Sequence, residues 1–490
     1  MNAAQPQAKP GVKSLAALPR NIGVVAATAV VIANVIGAGI FTTPGFLARD
    51  LGSPVAVLAI WVLGAILALA GALSYGELGA AFPEAGGEYV YLREAYGPLL
   101  GYLSGWTSFF AGFTAPIAAA CIGFSAYLSH FFSQLAPENV LWTIPLGRLQ
   151  WHISGGHLGA LLALWFLTAA HISGVQRGAK LQVALTAGKT AAIAALIICG
   201  FAVGKGDWGH LHSSFGSSSF GASSHALISA AALRSLPVSL IFVLYCFSGW
   251  NAAAYLGGEI RRPQRNVPLA LLLGTAIVTL LYLGLNLLFL YALSIQEMSG
   301  VLKIGEKASL ALFGPVATDV IAALMALSIF TSASAMVMAG PRVYFAMAAD
   351  GLFPKKLGGI HGRFQSPANG ILFQSAWTSI LILTGSFEQL LVYSGFVLVF
   401  FSALAVASVI VLRRRRPAAD LPFRVPLYPY TPVLFIGFSG WILAYTLRER
   451  PIEALWGIAT VLIGMPFYFY WRRRGGLAGL KGKDEHACAK

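Results

Sequence analysis

Two of the apolar stretches in this chain are interrupted by glycine near their middles. The first runs from Val30 to Phe41 and breaks at Gly37-Ala38-Gly39; the second runs from Phe242 to Asn251 and breaks at Ser248-Gly249. A helix surrounded by lipid must satisfy each backbone N–H and C=O within itself, because hydrocarbon offers no partner. A break at that depth is tolerated only where it is buried in protein or lines a cavity. Two breaks in corresponding places of two halves of a chain point to a single cavity between the halves. The competing reading is two unbroken helices whose glycines let neighbouring helices approach closely.

The lipid setting follows from composition. Of 490 residues, 57% are hydrophobic and only 10% are charged. A water-soluble chain of that length cannot hide so much apolar surface, so the expected class is an all-α polytopic membrane protein. The formal net charge of +15 would suit a nucleic-acid partner, but the basic residues fall in short loops between apolar segments, where they act as topology signals. No nucleic-acid partner is expected. The four cysteines are Cys121, Cys199, Cys246 and Cys488, three of them in or at the end of apolar segments. That pattern gives neither a disulfide framework nor metal-ligand spacing, so no metal or cofactor is expected.

Twelve spans are read from the apolar runs: 22–48, 55–82, 97–133, 157–173, 180–204, 237–258, 267–293, 314–346, 368–386, 388–412, 431–448 and 452–471. A polar arm over 1–20, too polar for a cleavable signal peptide, precedes them. Segments 1–5 form a first repeat over 21–204, a Gly- and Ser-rich loop covers 205–236, and segments 6–10 form a second repeat over 237–412. Two further spans occupy 413–471, and a basic tail covers 472–490. With the N-terminus inside, 24 of the 33 Lys and Arg lie on the inner side, 8 on the outer side, and Lys189 within a span. That bias places both termini in the cytoplasm. Five spans per repeat is an odd number, so the second repeat is inverted, with segments 1 and 6 as its matching broken helices.

Four stretches carry a family resemblance. They are Ile36-Gly37-Ala38-Gly39-Ile40-Phe41; Ser74-Tyr75-Gly76-Glu77-Leu78 with Pro83-Glu84-Ala85-Gly86-Gly87-Glu88-Tyr89; Phe247-Ser248-Gly249-Trp250-Asn251 with Gly258-Glu259-Ile260; and Pro341-Arg342-Val343-Tyr344-Phe345 with Asp350-Gly351-Leu352. In this order and spacing the chain resembles the amino acid–polyamine–organocation transporters over essentially its whole length, and Gly249-Trp250-Asn251 is most similar to the L-type amino acid transporters and their bacterial relatives. The resemblance implies a leucine-transporter-like fold of five-plus-five inverted repeats, alternating access, and no sodium requirement. The eukaryotic L-type proteins bind a glycoprotein heavy chain through a Cys in the outer loop after segment 3. Here that loop, 134–156, has no Cys, so no disulfide-linked heavy chain is expected. The short outer loops suit a bacterial inner membrane.

For an amino acid held at mid-membrane, the carboxylate needs donors, and the half-helix starting after the first break offers free N–H groups at its positive end. Gly37, Ala38, Gly39 and Ile40 are the candidates, preceded by Ile36. The ammonium needs acceptors, and the candidates are the carbonyls of Val35, Tyr245, Cys246 and Ser248 beside Gly249. Side-chain selectivity is assigned to Asn34, Trp106, Tyr245 and Asn251. No Asp or Glu falls at the centre of a span, which favours neutral substrates, because a cationic side chain in low dielectric calls for a carboxylate partner. A cationic amino acid or polyamine carrier and a non-transporting sensor remain alternatives. An enzyme does not fit, since no nucleophile–base pair lies within the spans.

Lys189 is the ionisable residue deepest in an apolar span, and such residues are functional by default. It lies about 13 Å along the helix from Lys180, so snorkelling to the interface is the alternative. The resemblance implies that it stands in for a bound sodium ion, bridging segment 1 to hydroxyls of segment 8 at Thr331, Ser332 and Ser334. A proton that leaves it during the cycle would be the coupling ion; a permanently charged Lys189 would be a strut suited to exchange. The resemblance implies that Tyr245, just before the second break, closes over the substrate as a gate; the alternative is a packing residue. Glu77 and Glu259, with Glu84, Glu88 and nearby Arg residues, are read as an inner gate or as plain interfacial charges. His210, His212 and His225 are read as solvated loop residues, and Arg413 to Arg416 as a boundary signal that also meets lipid headgroups.

Overall fold

A computed structural model describes residues 20–146, 149–173, 175–212, 230–357, 359, 366–415 and 421–473. The predicted arm over 1–20 except Arg20, together with His225, Arg416 and most of the basic tail, lies outside them.

The helices in chain order are α1 (Val24–Val35), α2 (Gly39–Leu51), α3 (Pro54–Ala81), α4 (Glu88–Tyr96), α5 (Pro98–Thr107), α6 (Thr114–Leu128), α7 (Gly155–Ile172), α8 (Val175–Ala202), α9 (Ala230–Phe247) and α10 (Ala252–Tyr255). They continue as α11 (Pro263–Ala292), α12 (Ile295–Met298), α13 (Ile304–Phe313), α14 (Pro315–Ala339), α15 (Pro341–Ala349), α16 (Ala368–Thr384), α17 (Phe387–Arg415), α18 (Tyr430–Glu449) and α19 (Pro451–Arg473). Proline sets many of the boundaries. α3, α5, α11, α14, α15 and α19 all begin on one, where its fixed φ suits the first turn and no N–H is missed. Gly97 (φ 94°) and Gly314 (φ 76°) turn the chain immediately before two of these prolines.

Among the described residues, nine helices are long and apolar enough to cross a membrane. A tenth span is the pair α1 and α2, bent by 41° at the Ile36–Ala38 break. The multi-pass helical class therefore holds. The two expected spans that fall short have physical reasons. α9 ends at the second break, leaving Ser235–Phe247 as its described apolar part. α16 has 17 residues, about 26 Å of helix.

Several boundaries need correction. Segment 3 is interrupted by a π-helical stretch at Ser108–Phe113, which joins α5 to α6. Segment 8 stops at Ala339 and restarts as α15 at Pro341. The expectation of a purely helical fold is overturned between α6 and α7 by an antiparallel hairpin, β1 (Val140–Leu146) and β2 (Leu149–Ser154), paired from Leu146 with Leu149 to Val140 with Ser154. Its β-branched and aromatic residues suit paired strands. α1 packs along α11 and against α8 and α14, α2 packs along α9, and α3 lies along α11, so both breaks sit inside the bundle. The chain before α1 is tied to the chain after α10: Ile22 N donates to Glu259 O (3.0 Å) and Arg261 N to Ile22 O (2.9 Å).

Candidate functional site

The two breaks touch. A Cβ placed on Gly39 would lie 2.6 Å from Cys246 Sγ, and one on Gly249 (φ 97°) would lie 2.9 Å from the carbonyl carbon of Asn34. Contact at that range explains why glycine stands at both positions: close backbone approach leaves no room for a side chain. The packing-glycine and broken-helix readings thus merge, since the glycines pack one break against the other.

Lys189 closes the first break. Only 7% exposed, it projects from α8 toward α1, where Nζ donates to Ala33 O (3.1 Å) and Ile36 O (2.9 Å). These are carbonyls at the C-terminal end of α1, which have no helical partner beyond the break and carry the negative end of the helix dipole. The snorkelling alternative is excluded by this inward course. The expected bridge onward to α14 is not made among the described residues, because the ammonium is engaged by the two α1 carbonyls. Thr331 Oγ1 turns back to Leu327 O (2.7 Å), and Ser334 Oγ meets His171 Nε2 (2.9 Å). Ser332 Oγ is buried without a partner and faces the break, 3.0 Å from where a Cβ on Gly37 would stand.

A third helix ties the breaks together. Tyr282 on α11, 1% exposed, directs its hydroxyl at Val35 O (2.7 Å) and Cys246 O (3.1 Å). Both carbonyls had been assigned to a substrate ammonium, and in this structure both face the same phenol. The sequence reading missed Tyr282. The available signal was a hydroxyl in the middle of an apolar run, which needs a partner when buried.

The second break rebuilds its own backbone pairing. Ser248 N donates to Tyr245 O (2.8 Å), Trp250 N to Phe247 O (3.2 Å), Ala252 N to Gly249 O (2.9 Å) and Ala254 N to Asn251 O (2.9 Å). These i to i+3 turns free the side chains of Ser248 and Asn251 to border a cavity of about 40 Å³. Asn34, Ser108, Phe113, Tyr255 and Met336 complete most of its wall. That volume holds about three waters. Ser248, Gly249 and Asn251 are thus brought together with Asn34 as expected, whereas Gly37, Ala38, Gly39, Ile40, Val35, Tyr245 and Cys246 do not line this cavity. Trp106 is displaced altogether: it turns away toward α19 and donates from Nε1 to Thr460 O (2.9 Å).

A buried carboxylate stands behind Asn251. Glu88, 2% exposed at the start of α4, accepts at Oε1 from Tyr75 OH (2.5 Å), Asn251 Nδ2 (2.9 Å) and Ser402 Oγ (3.3 Å). Burial raises its carboxyl above the ordinary value, and the three donors pull it partly back. Asn251 Nδ2 also donates to Tyr255 OH (3.2 Å), so the amide nitrogen is committed and the oxygen is the end left for the cavity. Glu88 thereby differs from the gate carboxylates with which it was grouped. Glu77 forms a bidentate pair with Arg413 (2.7 and 2.5 Å) and accepts from Val425 N (2.7 Å), so Arg413 is a structural partner rather than only a boundary charge. Glu259 pairs with Arg342 at 2.9 Å. Arg93 joins Asp350, Glu84 and Glu94. His210 is half-buried with Nδ1 3.2 Å from Tyr291 O, against the expectation of a solvated loop residue.

Comparison with known proteins identifies the family. The family model described as amino acid permease matches residues 22–466. The serine/threonine exchanger SteT of Bacillus subtilis (strain 168) is 31% identical over 466 residues, covering 93% of this chain and 98% of that protein. The large neutral amino acids transporter small subunit 2 of Mus musculus is 30% identical, covering 94% of this chain and 82% of that protein. The Asc-type amino acid transporter 1 of Mus musculus is 29% identical, with 94% and 83% covered. With its apolar spans and its match to the family model from end to end of the bundle, the chain belongs to the amino acid permease family and is a multi-pass membrane transporter of amino acids, not an enzyme.

Proposed function

We propose that this transporter exchanges neutral L-amino acids by alternating access without sodium. The observation that carries the reading is the pair of apposed breaks, with Lys189 as a built-in cation at the first and an uncharged cavity wall at the second. Glu88 lies behind that wall and is engaged by three donors, so a cationic side chain finds no free carboxylate there. The carboxylate of the substrate meets the N–H groups at Gly37 to Ile40, and its ammonium meets carbonyls at Val35, Tyr245, Cys246 and Ser248, once the Tyr282 bridge and the Cys246 contact open. Asn34, Ser248 and Asn251 read the side chain, and the small cavity suits small residues. The names of two relatives, a serine/threonine exchanger and a large neutral amino acids transporter, agree with this class.

Two inverted repeats of five spans, with α1–α2 and α9–α10 as the matching broken helices, rock around the site. Tyr245 closes it from one side, and the Glu77–Arg413 and Glu259–Arg342 pairs close it from the other. Twelve spans put both termini in the cytoplasm of a cell whose inner membrane holds the protein, without a disulfide-linked heavy chain. Proton symport is the second reading, favoured by the same Lys189, which would release its Nζ proton to let the first break open.

Uptake of radiolabelled serine or leucine into proteoliposomes separates the two. Uptake only into vesicles preloaded with unlabelled substrate, indifferent to a proton gradient, is the expected result. Accumulation in empty vesicles that collapses with the gradient would replace exchange by symport. No uptake of any neutral amino acid would overturn the substrate class.

A further inference from the structure

A cavity far larger than the one at the breaks lies elsewhere among the described residues. It is a lateral groove of about 720 Å³ whose walls are α16 and α19 and whose floor comes from α5, the π-helical stretch and α17. On α19 it runs from Ile452 to Phe467, sixteen residues spanning about 22 Å. The rim residues Ile380, Trp456 and Ile463 are 48%, 65% and 54% exposed, so the groove opens on the bundle's perimeter.

Its interior polar groups are already satisfied. Trp106 Nε1 donates to Thr460 O (2.9 Å), Trp377 Nε1 to Phe110 O (2.9 Å) and Thr384 Oγ1 to Ile380 O (2.7 Å), while Thr460 Oγ1 and Tyr393 OH share a bond of 2.9 Å. Nothing inside asks for water, and an apolar slot facing hydrocarbon takes an apolar occupant. Only one end is charged. Glu453 and Gln389 line the groove there. Glu453 has Arg450 as its ion partner among the described residues, at 3.9 Å and beyond hydrogen-bond range. Arg450 itself is 34% exposed and also pairs with Glu388 at 2.6 Å.

We propose that this groove binds one phospholipid with a primary-amine headgroup, its acyl chain along α19 between Trp377 and Trp456, its ammonium on Glu453 and its phosphate on Arg450. The charge order at the rim, a carboxylate beside a guanidinium, is complementary to a zwitterionic head with amine and phosphate. An ammonium donates charge-assisted hydrogen bonds to a carboxylate, whereas a quaternary choline has no N–H to give, and a glycerol head has no cation. The site joins α5 and α16 to α17 and α19, so an occupied groove braces elements that pack around the cavity wall at Ser108 and Leu398.

Native mass spectrometry of the full chain, released from detergent with ethanolamine, choline and glycerol phospholipids of identical chains, tests this without any transport assay. Retention of one ethanolamine lipid, roughly three- to tenfold over the choline lipid, is the expected result. Glu453→Gln should remove that preference while leaving lipid bound, and Ala459→Trp, which fills the groove, should remove retention of all three. A melting temperature close to wild type in both variants would show that they are folded. Equal retention of the three lipids in wild type, retention unchanged by Ala459→Trp, or a cross-linked dimer with α19 of a second copy in the groove would each overturn the proposal.

Discussion

The two breaks solve the same problem by opposite means. At the first, the loose carbonyls of Ala33, Val35 and Ile36 are met from outside, by the Lys189 ammonium of α8 and the Tyr282 hydroxyl of α11. At the second, the chain satisfies itself through successive i to i+3 turns, and only Cys246 O relies on another helix. The first break is therefore held by charge at long sequence range, and the second by local backbone geometry with Glu88 fixing its side-chain end. A break held by a distant cation can be released by moving that cation's helix. A break held locally keeps its shape and offers a stable reading surface. The division suggests which part opens in transport and which part recognises.

The largest effect should come from Lys189→Ala. It leaves Ala33 O and Ile36 O, inside the bundle, without their donor, at about 1–3 kcal/mol for each buried acceptor. Exchange in proteoliposomes should fall at least tenfold, and the melting temperature should drop. Lys189→Met tests the same point with most of the side-chain volume retained. Near-normal transport and stability in Lys189→Met would mean that the first break does not need its cation, and the contrast between the breaks would fail.

Gly249→Ala attacks the second break through geometry. Its φ of 97° and the 2.9 Å approach to Asn34 leave no place for a Cβ, so a cost of about 1–3 kcal/mol in local strain is expected, with weaker substrate binding. Gly188→Ala, next to Lys189, is the matched control: nothing lies within 4 Å of its added Cβ, and helix propensity predicts a neutral or slightly stabilising change. Equal damage from both would show that the breaks are not special.

Tyr282→Phe sharpens the comparison, since one hydroxyl serves both breaks. Its loss should cost less than Lys189→Ala, because the two carbonyls lose one shared neutral donor rather than a charged one, about 1–2 kcal/mol in all. If substrate competes with this hydroxyl for Val35 O and Cys246 O, the variant should bind substrate as well as wild type or better despite lower stability, read by KM beside melting temperature. Glu88→Gln should then raise KM a few-fold with a smaller loss of stability, because Gln brings an amide donor where Glu88 presents only acceptors to Asn251, Tyr75 and Ser402.

Much of the first break was legible in the sequence. Gly37 and Gly39 interrupt an apolar run, and a lysine stands alone in the apolar stretch of α8; lipid physics makes both conspicuous. Its partners were less legible. The segment-8 hydroxyls were expected to meet Lys189, but backbone carbonyls have no sequence signature and Nζ takes those. Glu88 looked like one more acid in a charged loop, because its burial depends on α3, α10 and α17 converging over α4. Trp106 had the right depth along its helix but faces the other way, since it stands two residues, about 200° of helix, from Ser108, which lines the cavity. The hairpin after α6 was read only as part of the outer loop over 134–156, although Val140-Leu141-Trp142-Thr143-Ile144 is rich in β-branched and aromatic residues.

The smallest expected effect is a pH dependence that should touch the first break's surroundings and spare the second. His130, just beyond α6, lies 2.7 Å from Asp319 on α14 and 3.0 Å from Glu306 on α13, where Lys303 also reaches Glu306 at 3.0 Å. The hydrogen bond to Asp319 raises the imidazole's affinity for its proton most, burial opposes it, and the bond to Glu306 adds a lesser rise. A group whose folded value is raised contributes stability that is fully present below its unfolded value, about 6.5, and lost as pH climbs through the raised one. The tie from α6 to α13 and α14 should therefore be tightest below about pH 6.5 and loosen as pH rises through the raised value. α14 carries Ser332 against Gly37, so hydrogen exchange in α13 and the start of α14, corrected for its intrinsic pH dependence, should quicken before any change at Ser248 to Asn251. His130→Gln should flatten that dependence. If exchange at the second break quickens equally and in step with α13, the breaks share one stability unit, and the division between a releasable break and a fixed one does not hold.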